Sequence, residues 1–110
     1  MNRIGLSPAA AALWRALLDR AGNLRDRILL SDFRSTDWNS LTIAGERHLI
    51  GLRIAQPDAD IAHERLTAGL EDAEFAIAGQ IVADIALCGP AVQGADGSLL
   101  LMIEALTVAD

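Results

Sequence analysis

Residues 41–55, LTIAGERHLIGLRIA, contain two apolar segments on either side of a glycine-centred tetrapeptide. We interpret the segments as the strands of a β-hairpin, because Gly45 can adopt the positive φ that a two-residue turn requires. A loop at Gly45-Glu46 places Ile43 opposite His48, and a loop one residue earlier preserves the same alternation of side chains. Either loop assigns one set of residues to the core face: Leu41, Ile43, Ile50, Leu52 and Ile54.

The composition predicts one folded domain over residues 1–110. Hydrophobic residues make up 52% of the chain, as in globular proteins. A chain of 110 residues can bury a core without help from metals or disulfides. Cys88 is the only cysteine, which excludes a disulfide within the chain. No apolar run is long enough to span a bilayer, and residues 1–14 fit an amphipathic helix better than a signal peptide. We therefore expect a cytoplasmic protein.

Two helices are predicted, one on each side of the hairpin. Ser7, followed by proline, is a favourable N-cap for a helix over residues 8–21, and Gly22-Asn23 can end it. A second helix begins within residues 57–60 and ends around residues 70–72. Its apolar stripe consists of Ile61, Ala62, Leu66, Leu70 and Ala73.

The segment between the first helix and the hairpin has no clear periodicity. The apolar run at residues 28–30 is too short to distinguish a strand from a helix. We favour a strand near residues 27–33 and a polar connection over residues 34–39.

The pattern of the C-terminal third predicts a second, longer hairpin. Alternating apolar residues predict a strand over residues 75–87, and Asp96-Gly97 is a hairpin turn signal. The last strand, residues 99–108, is apolar on both faces, which indicates a central strand or one covered by a partner. A loop at Asp96-Gly97 predicts two pairs on the core face, Leu87 with Leu106 and Ile85 with Val108.

These elements predict an α+β fold. Its mainly antiparallel sheet consists of two hairpins and one additional strand, and two helices pack on one face of the sheet.

Charge is distributed unevenly along the chain. All nine basic residues are arginines, and eight of them lie within residues 1–55, whereas ten of the fifteen acids lie within residues 56–110. A net charge of −6 argues against sequence-specific binding of nucleic acid. The asymmetry suits head-to-tail contacts between subunits, in which a basic surface meets an acidic one. The alternative is that the two halves of the sequence are mixed on the folded surface, so that no basic or acidic side results.

Motifs for catalysis, metals or cofactors are lacking. His48 and His63 have no third ligand at zinc-binding spacing, and Cys88 follows a core strand, where a lone cysteine usually serves as a small apolar residue. The acids near residues 58–60 and 71–74 lack the spacing of a calcium loop. We expect no cofactor, no metal and no enzymatic activity.

Five charged or aromatic residues are candidates for a subunit interface. Arginine and tryptophan are frequent interface anchors, and the polar connection contains both. The hairpin tip adds a charged pair. The candidates are Arg34, Asp37, Trp38, Glu46 and Arg47. The alternative is that Arg34 and Asp37 pair with each other while Trp38 caps the core.

The order of elements resembles the small tail-completion, or tail-terminator, proteins of long-tailed phages and gene transfer agents. The residues that carry the resemblance are Asp37-Trp38, Gly45-Glu46-Arg47-His48, Gly79-Gln80-Ile81-Val82 and Asp96-Gly97, between Leu13 and Val108. The resemblance implies a structural protein without an active site. It also implies rings, often hexameric, that contact tail-tube and head-connector proteins in a phage-like particle.

A second hypothesis is a small-molecule-binding or regulatory α+β module that dimerises through its sheet. It predicts an apolar pocket beside the helices.

Overall fold

The structure is a computed structural model that describes residues 6–110. The first five residues of the stretch that we interpret as amphipathic, residues 1–5, lie outside the described residues. The helices are α1 (Pro8–Arg20) and α2 (Ala59–Thr67), and short 3₁₀ turns occupy Gly22–Arg27 and Leu70–Asp72. The strands are β1 (Ile28–Asn39), β2 (Ala44–Ile54), β3 (Gln80–Leu87), β4 (Val92–Gln93) and β5 (Leu99–Ala109).

The five strands form one antiparallel sheet in the order β1-β2-β5-β3, with the short strand β4 also paired to β5. Both helices pack on the same face of this sheet, which confirms the predicted α+β fold. The sequence left two alternatives for the last strand, and the structure shows the central one, because β5 lies between β2 and β3. The largest buried apolar side chains of the core are Leu13, Leu17, Ile50, Leu52, Ile54, Leu66 and Ile103.

The first helix forms as predicted. The Ser7 hydroxyl accepts a hydrogen bond from the amide of Ala10, and Pro8 occupies the first helical position, where no amide hydrogen is needed. Leu13 and Leu17, one turn apart, point into the core. The second helix ends earlier than predicted, at Thr67, because the chain turns into a left-handed conformation at Gly69 before the 3₁₀ turn.

Two arginines join the C-terminal ends of the helices. Arg20, in the last turn of α1, donates to the carbonyls of Leu66 and Ala68 at the end of α2. Arg65, in the last turn of α2, donates to the carbonyl of Ala21 at 3.2 Å. The last carbonyls of a helix lack partners within the helix, and a cation near them is favourable. Each helix therefore caps the other.

The predicted hairpin turn is wrong. The strand that pairs with β2 is β1, and the loop between them is Ser40-Leu41-Thr42-Ile43, with Leu41 fully exposed. Gly45 lies inside β2, and a β-carbon there would lie 2.6 Å from the carbonyl oxygen of Thr107. Glycine is thus required at position 45 by a close approach of two strands rather than by a turn. The predicted parity of His48, Ile50, Leu52 and Ile54 is correct, and these four side chains are buried on the helix side.

The predicted polar connection over residues 34–39 is also wrong, because β1 continues to Asn39. As an edge strand β1 is exposed along most of its length, so its sequence lacks the alternation that marks a half-buried strand.

The predicted register of the second hairpin is wrong as well. Asp96 and Gly97 do form a turn, but it connects β4 to β5, and the amide of Gly94 donates to the carbonyl of Ser98 at 2.7 Å. Strand β3 begins only at Gln80, after a turn in which Gly79 has a φ of 75°. The observed pairs are Ile85 with Ala105 and Leu87 with Ile103. Leu106 and Val108 consequently point away from the core.

Candidate functional site

The side of the sheet that faces away from the helices, which we call the outer face, has an apolar centre. Because directly paired residues of antiparallel strands lie on the same face, the strand register defines its composition. The side chains of Leu49, Met102, Leu106 and Val108 form this centre and are half-buried. Around them lie apolar residues that are 38–59% exposed: Leu29, Trp38, Ile81, Val92 and Leu100.

The register arranges the outer face in rows that cross all four main strands. From β1 to β3 the rows are Trp38-Gly45-Val108-Ile81, Thr36-Arg47-Leu106-Asp84 and Arg34-Leu49-Glu104-Ala86. The first row is hydrophobic from edge to edge. In the second row Arg47 on β2 is separated from Asp84 on β3, and in the third row Arg34 on β1 is separated from Glu104 on β5.

Two glycines of β2 leave positions of the outer face without a side chain, one near the start of the strand and one further along it. Gly45 lies directly opposite Trp38 in the register, and Gly51 lies opposite Asp32 and Met102. A β-carbon at Gly51 would lie 3.1 Å from the Ser31 hydroxyl oxygen. Neither position of β2 can carry a larger side chain without displacing its neighbours.

The charges of the outer face are separated across the sheet, apart from Asp32, an acid that lies on β1 beside Arg34. We call the β1–β2 side, with Arg34 and Arg47, the basic half, and the β5–β3 side, with Glu104 and Asp84, the acidic half. Arg34 contacts Asp32 on its own strand, with 3.0 Å between Nε and Oδ2. Within residues 6–110 the other three residues form no ion pair.

Two further polar groups border this face. Arg53 donates to the Ser98 hydroxyl at 3.0 Å and to the Asp96 carboxylate. Hydrogen bonds from the Ser98 hydroxyl and amide, together with Arg53, lower the pKa of Asp96 to about 2.

Cys88 follows the last residue of β3. Burial raises the pKa of its thiol, and the neighbouring Glu104 carboxylate raises this pKa further. A thiol with a raised pKa is a poor nucleophile at neutral pH.

The structure divides the five predicted interface residues between the two faces. Arg34, Trp38 and Arg47 lie on the outer face, whereas Asp37 and Glu46 form a cross-strand pair on the helix side. Glu46 accepts a hydrogen bond from the Ser7 hydroxyl at 2.8 Å.

The predicted exposed tip is wrong for Glu46 and Arg47, because both lie within β2. The predicted local pair of Arg34 with Asp37 is likewise wrong, because Arg34 contacts Asp32.

His48 belongs to a buried polar cluster on the helix side. Its Nδ1 lies 2.8 Å from the Ser35 hydroxyl oxygen, and its Nε2 lies 2.8 Å from that of Thr107. Phe33 packs edge-on against the ring at a centroid distance of 5.8 Å. Burial lowers the pKa of His48, while the charge of Glu46 acts in the opposite direction. The imidazole is fixed between two strands that it helps to join.

Several open grooves indent the surface. One, of about 310 Å³, lies against the 3₁₀ turn that follows α2 and reaches Leu87. Another, of about 260 Å³, lies at the end of the sheet near Asp37 and Glu46. Across residues 6–110, no three potential metal-ligating side chains are grouped. None of the helices in the described part of the chain is long and apolar enough to cross a membrane.

Comparison with known proteins finds no matching family model and no significant similarity to a curated protein. The outer face therefore has to be interpreted from its own chemistry.

Sequence reasoning missed the apolar centre of the outer face. The available signal was the two-sided apolar character of residues 99–108. The wrong register of β3 and β5 assigned Leu106 and Val108 to the core, so it exchanged the two faces of β5 and did not show which apolar residues face outward.

Proposed function

We propose that the protein is a structural subunit that assembles with copies of itself, in the manner of the tail-completion proteins that its sequence resembles. The observation that carries the proposal is the outer face, an apolar sheet surface that neither helix covers.

Several large apolar side chains of the outer face are exposed to water in the single chain. Trp38 is 38% exposed, Leu100 is 40% exposed and Ile81 is 49% exposed, and all three adjoin the half-buried centre. Contiguous apolar patches larger than a few hundred Å² usually mark interaction sites. Covering these side chains with another protein surface removes apolar area from water, which supports an assembly role.

Among residues 6–110 the sheet has two free edges. Of the strands described there, β1 and β3 each pair with one neighbour only, so the outer edge of each carries unpaired backbone amides and carbonyls. Such edges can accept a strand from another chain. A subunit with an apolar face and two open edges has the contacts that a closed assembly needs.

In this proposal the protein is cytoplasmic until the phage-like particle assembles, and it then acts as a part of that particle. Tail-tube and head-connector proteins are its proposed heterologous partners. Flanking genes for capsid and tail-tube proteins would support this assignment, and flanking metabolic genes would argue against it.

Native mass spectrometry and light scattering over a range of concentrations test the proposal. We expect assemblies larger than one chain at high concentration, and closed rings in negative-stain micrographs, either alone or with a tail-tube protein. A strict monomer at the highest accessible concentration, with no ring in either preparation, would contradict the proposal.

A further inference from the structure

We infer that the occupant of the outer face is the outer face of a second copy, with the basic half of each copy lying on the acidic half of the other. The inference rests on the proposed function and adds to it the contact surface, the symmetry and the residues that select the orientation.

The area of the outer face is sufficient for a stable contact. Strands lie about 4.8 Å apart and rise about 3.4 Å per residue, so the four main strands present a surface of about 19 by 31 Å. Stacking two such surfaces buries about 1,200 Å² before side-chain relief is included, which is at the lower bound of specific interfaces. The second sheet then covers the apolar centre, as each sheet covers the inner face of the other in a β-sandwich.

Charge distinguishes between the two symmetric ways of stacking the sheets. A two-fold axis perpendicular to the strands places β1 over β1 and β3 over β3, so that the basic half, with Arg34 and Arg47, lies over the basic half of the second copy. A two-fold axis parallel to the strands, between β2 and β5, places β1 over β3 and β2 over β5. In the second arrangement the basic half meets Asp84 and Glu104 of the other copy.

Both axes keep the strands of the two copies aligned, which is the common geometry of packed sheets, so charge is what distinguishes the two arrangements. Opposite charges across the contact favour the parallel axis, and like charges disfavour the other.

The contact is closed, because each copy uses both halves at once. It leaves the outer edges of β1 and β3 free for a second kind of contact. Every larger assembly built in this way contains an even number of subunits.

Two charge-reversal variants test the inference. The acidic variant carries Arg34→Glu and Arg47→Glu, so both halves of its outer face are acidic. The basic variant carries Asp84→Arg and Glu104→Arg, so both halves are basic. We expect each variant alone to associate about 100-fold more weakly than the wild type, or worse, because like charges then face each other.

An equimolar mixture of the two variants should recover association. Each basic half then meets an acidic half, and native mass spectrometry identifies the product by the mass of one acidic and one basic chain. The matched control carries Arg15→Glu and Arg25→Glu on the helix side, where the same number of arginines is reversed, and it should associate like the wild type. Thermal unfolding of each variant establishes that it is folded.

The outcomes separate the inference from the proposed function. If the wild type associates and both variants associate equally well, the outer face is not the contact, and the inference fails while a self-assembling subunit remains supported. If both variants are weakened but their mixture is not restored, the two-fold stacking is wrong. If the wild type and the mixture are both monomeric at high concentration, the inference and the proposed function fail together.

Discussion

The two faces of the sheet are built from the same strands and differ in what covers them. On β5 the odd-numbered residues Leu101, Ile103 and Ala105 are at most 5% exposed beneath the helices, whereas the outward Leu100 is 40% exposed. Both sets are apolar, so strand composition alone does not reveal which face a helix covers. That assignment depends on α1 and α2, whose buried residues pack against one face of the sheet.

The largest expected difference between the faces comes from truncating one side chain on each. Ile103→Ala removes a fully buried side chain and leaves a cavity, so we expect a loss of about 2–5 kcal/mol in the free energy of unfolding. Leu100→Ala, three positions away on the outer face, should change it by less than about 0.5 kcal/mol in the dissociated protein. Denaturant titration at low concentration measures both. Equal losses would contradict the assignment of the two faces.

The glycines of β2 provide a second comparison. Gly45→Ala should destabilise the protein by about 1–3 kcal/mol, because its β-carbon meets the rigid carbonyl of Thr107 at 2.6 Å. Gly51→Ala should have a smaller effect, because its nearest atom, at 3.1 Å, is the hydroxyl oxygen of Ser31. Chemical denaturation of the two variants is the measurement. If Gly45→Ala leaves the free energy of unfolding unchanged, β2 and β5 can move apart at this position without destabilising the protein.

These glycines also show what sequence can reveal. The alternation from His48 to Ile54 predicts the buried face of β2 correctly, because Arg47 and Arg53 fix which residues point outward. The requirement for glycine at position 45 arises from Thr107, a residue in the last strand of the chain, and no local pattern reports it. A turn is the usual reason for glycine beside polar residues, and here that interpretation fails.

The candidate site was predictable only in part. Residue type marks Arg34 and Trp38 as interface candidates, and the expected hairpin tip adds Arg47; all three lie on the outer face. Asp84 and Glu104 were not identified, because their place beside the basic half follows from the register of β3 and β5. The turn signal at Asp96-Gly97 was correct, but it did not reveal that β4 intervenes.

The reciprocal arginine caps should contribute less than the core. Arg65→Ala removes hydrogen bonds to the carbonyl of Ala21 and the side chain of Asn23, and we expect a loss of about 1 kcal/mol in the free energy of unfolding. Arg20→Ala should have a similar effect. Arg15→Ala, on the exposed side of α1, is the matched control and should have almost none. If all three variants are alike, the helices of the covered face are held by apolar packing alone.

The smallest expected effect concerns His48, the buried titratable group of the covered face. Burial lowers its pKa in the folded state below the ordinary value of 6.5, so the unfolded chain binds a proton more readily. The contribution of His48 is therefore complete above pH 6.5 and is lost as the pH falls below that value towards the folded-state pKa. We expect His48→Gln to flatten the pH dependence of unfolding between pH 7.5 and 5, on the order of one proton at most. His63→Gln, on α2 and outside the cluster formed by Ser35, His48 and Thr107, is the matched substitution with which the His48→Gln result is compared. Because this cluster faces the helices, neither substitution should alter association through the outer face, and a change in association would show that the two faces are coupled through the sheet.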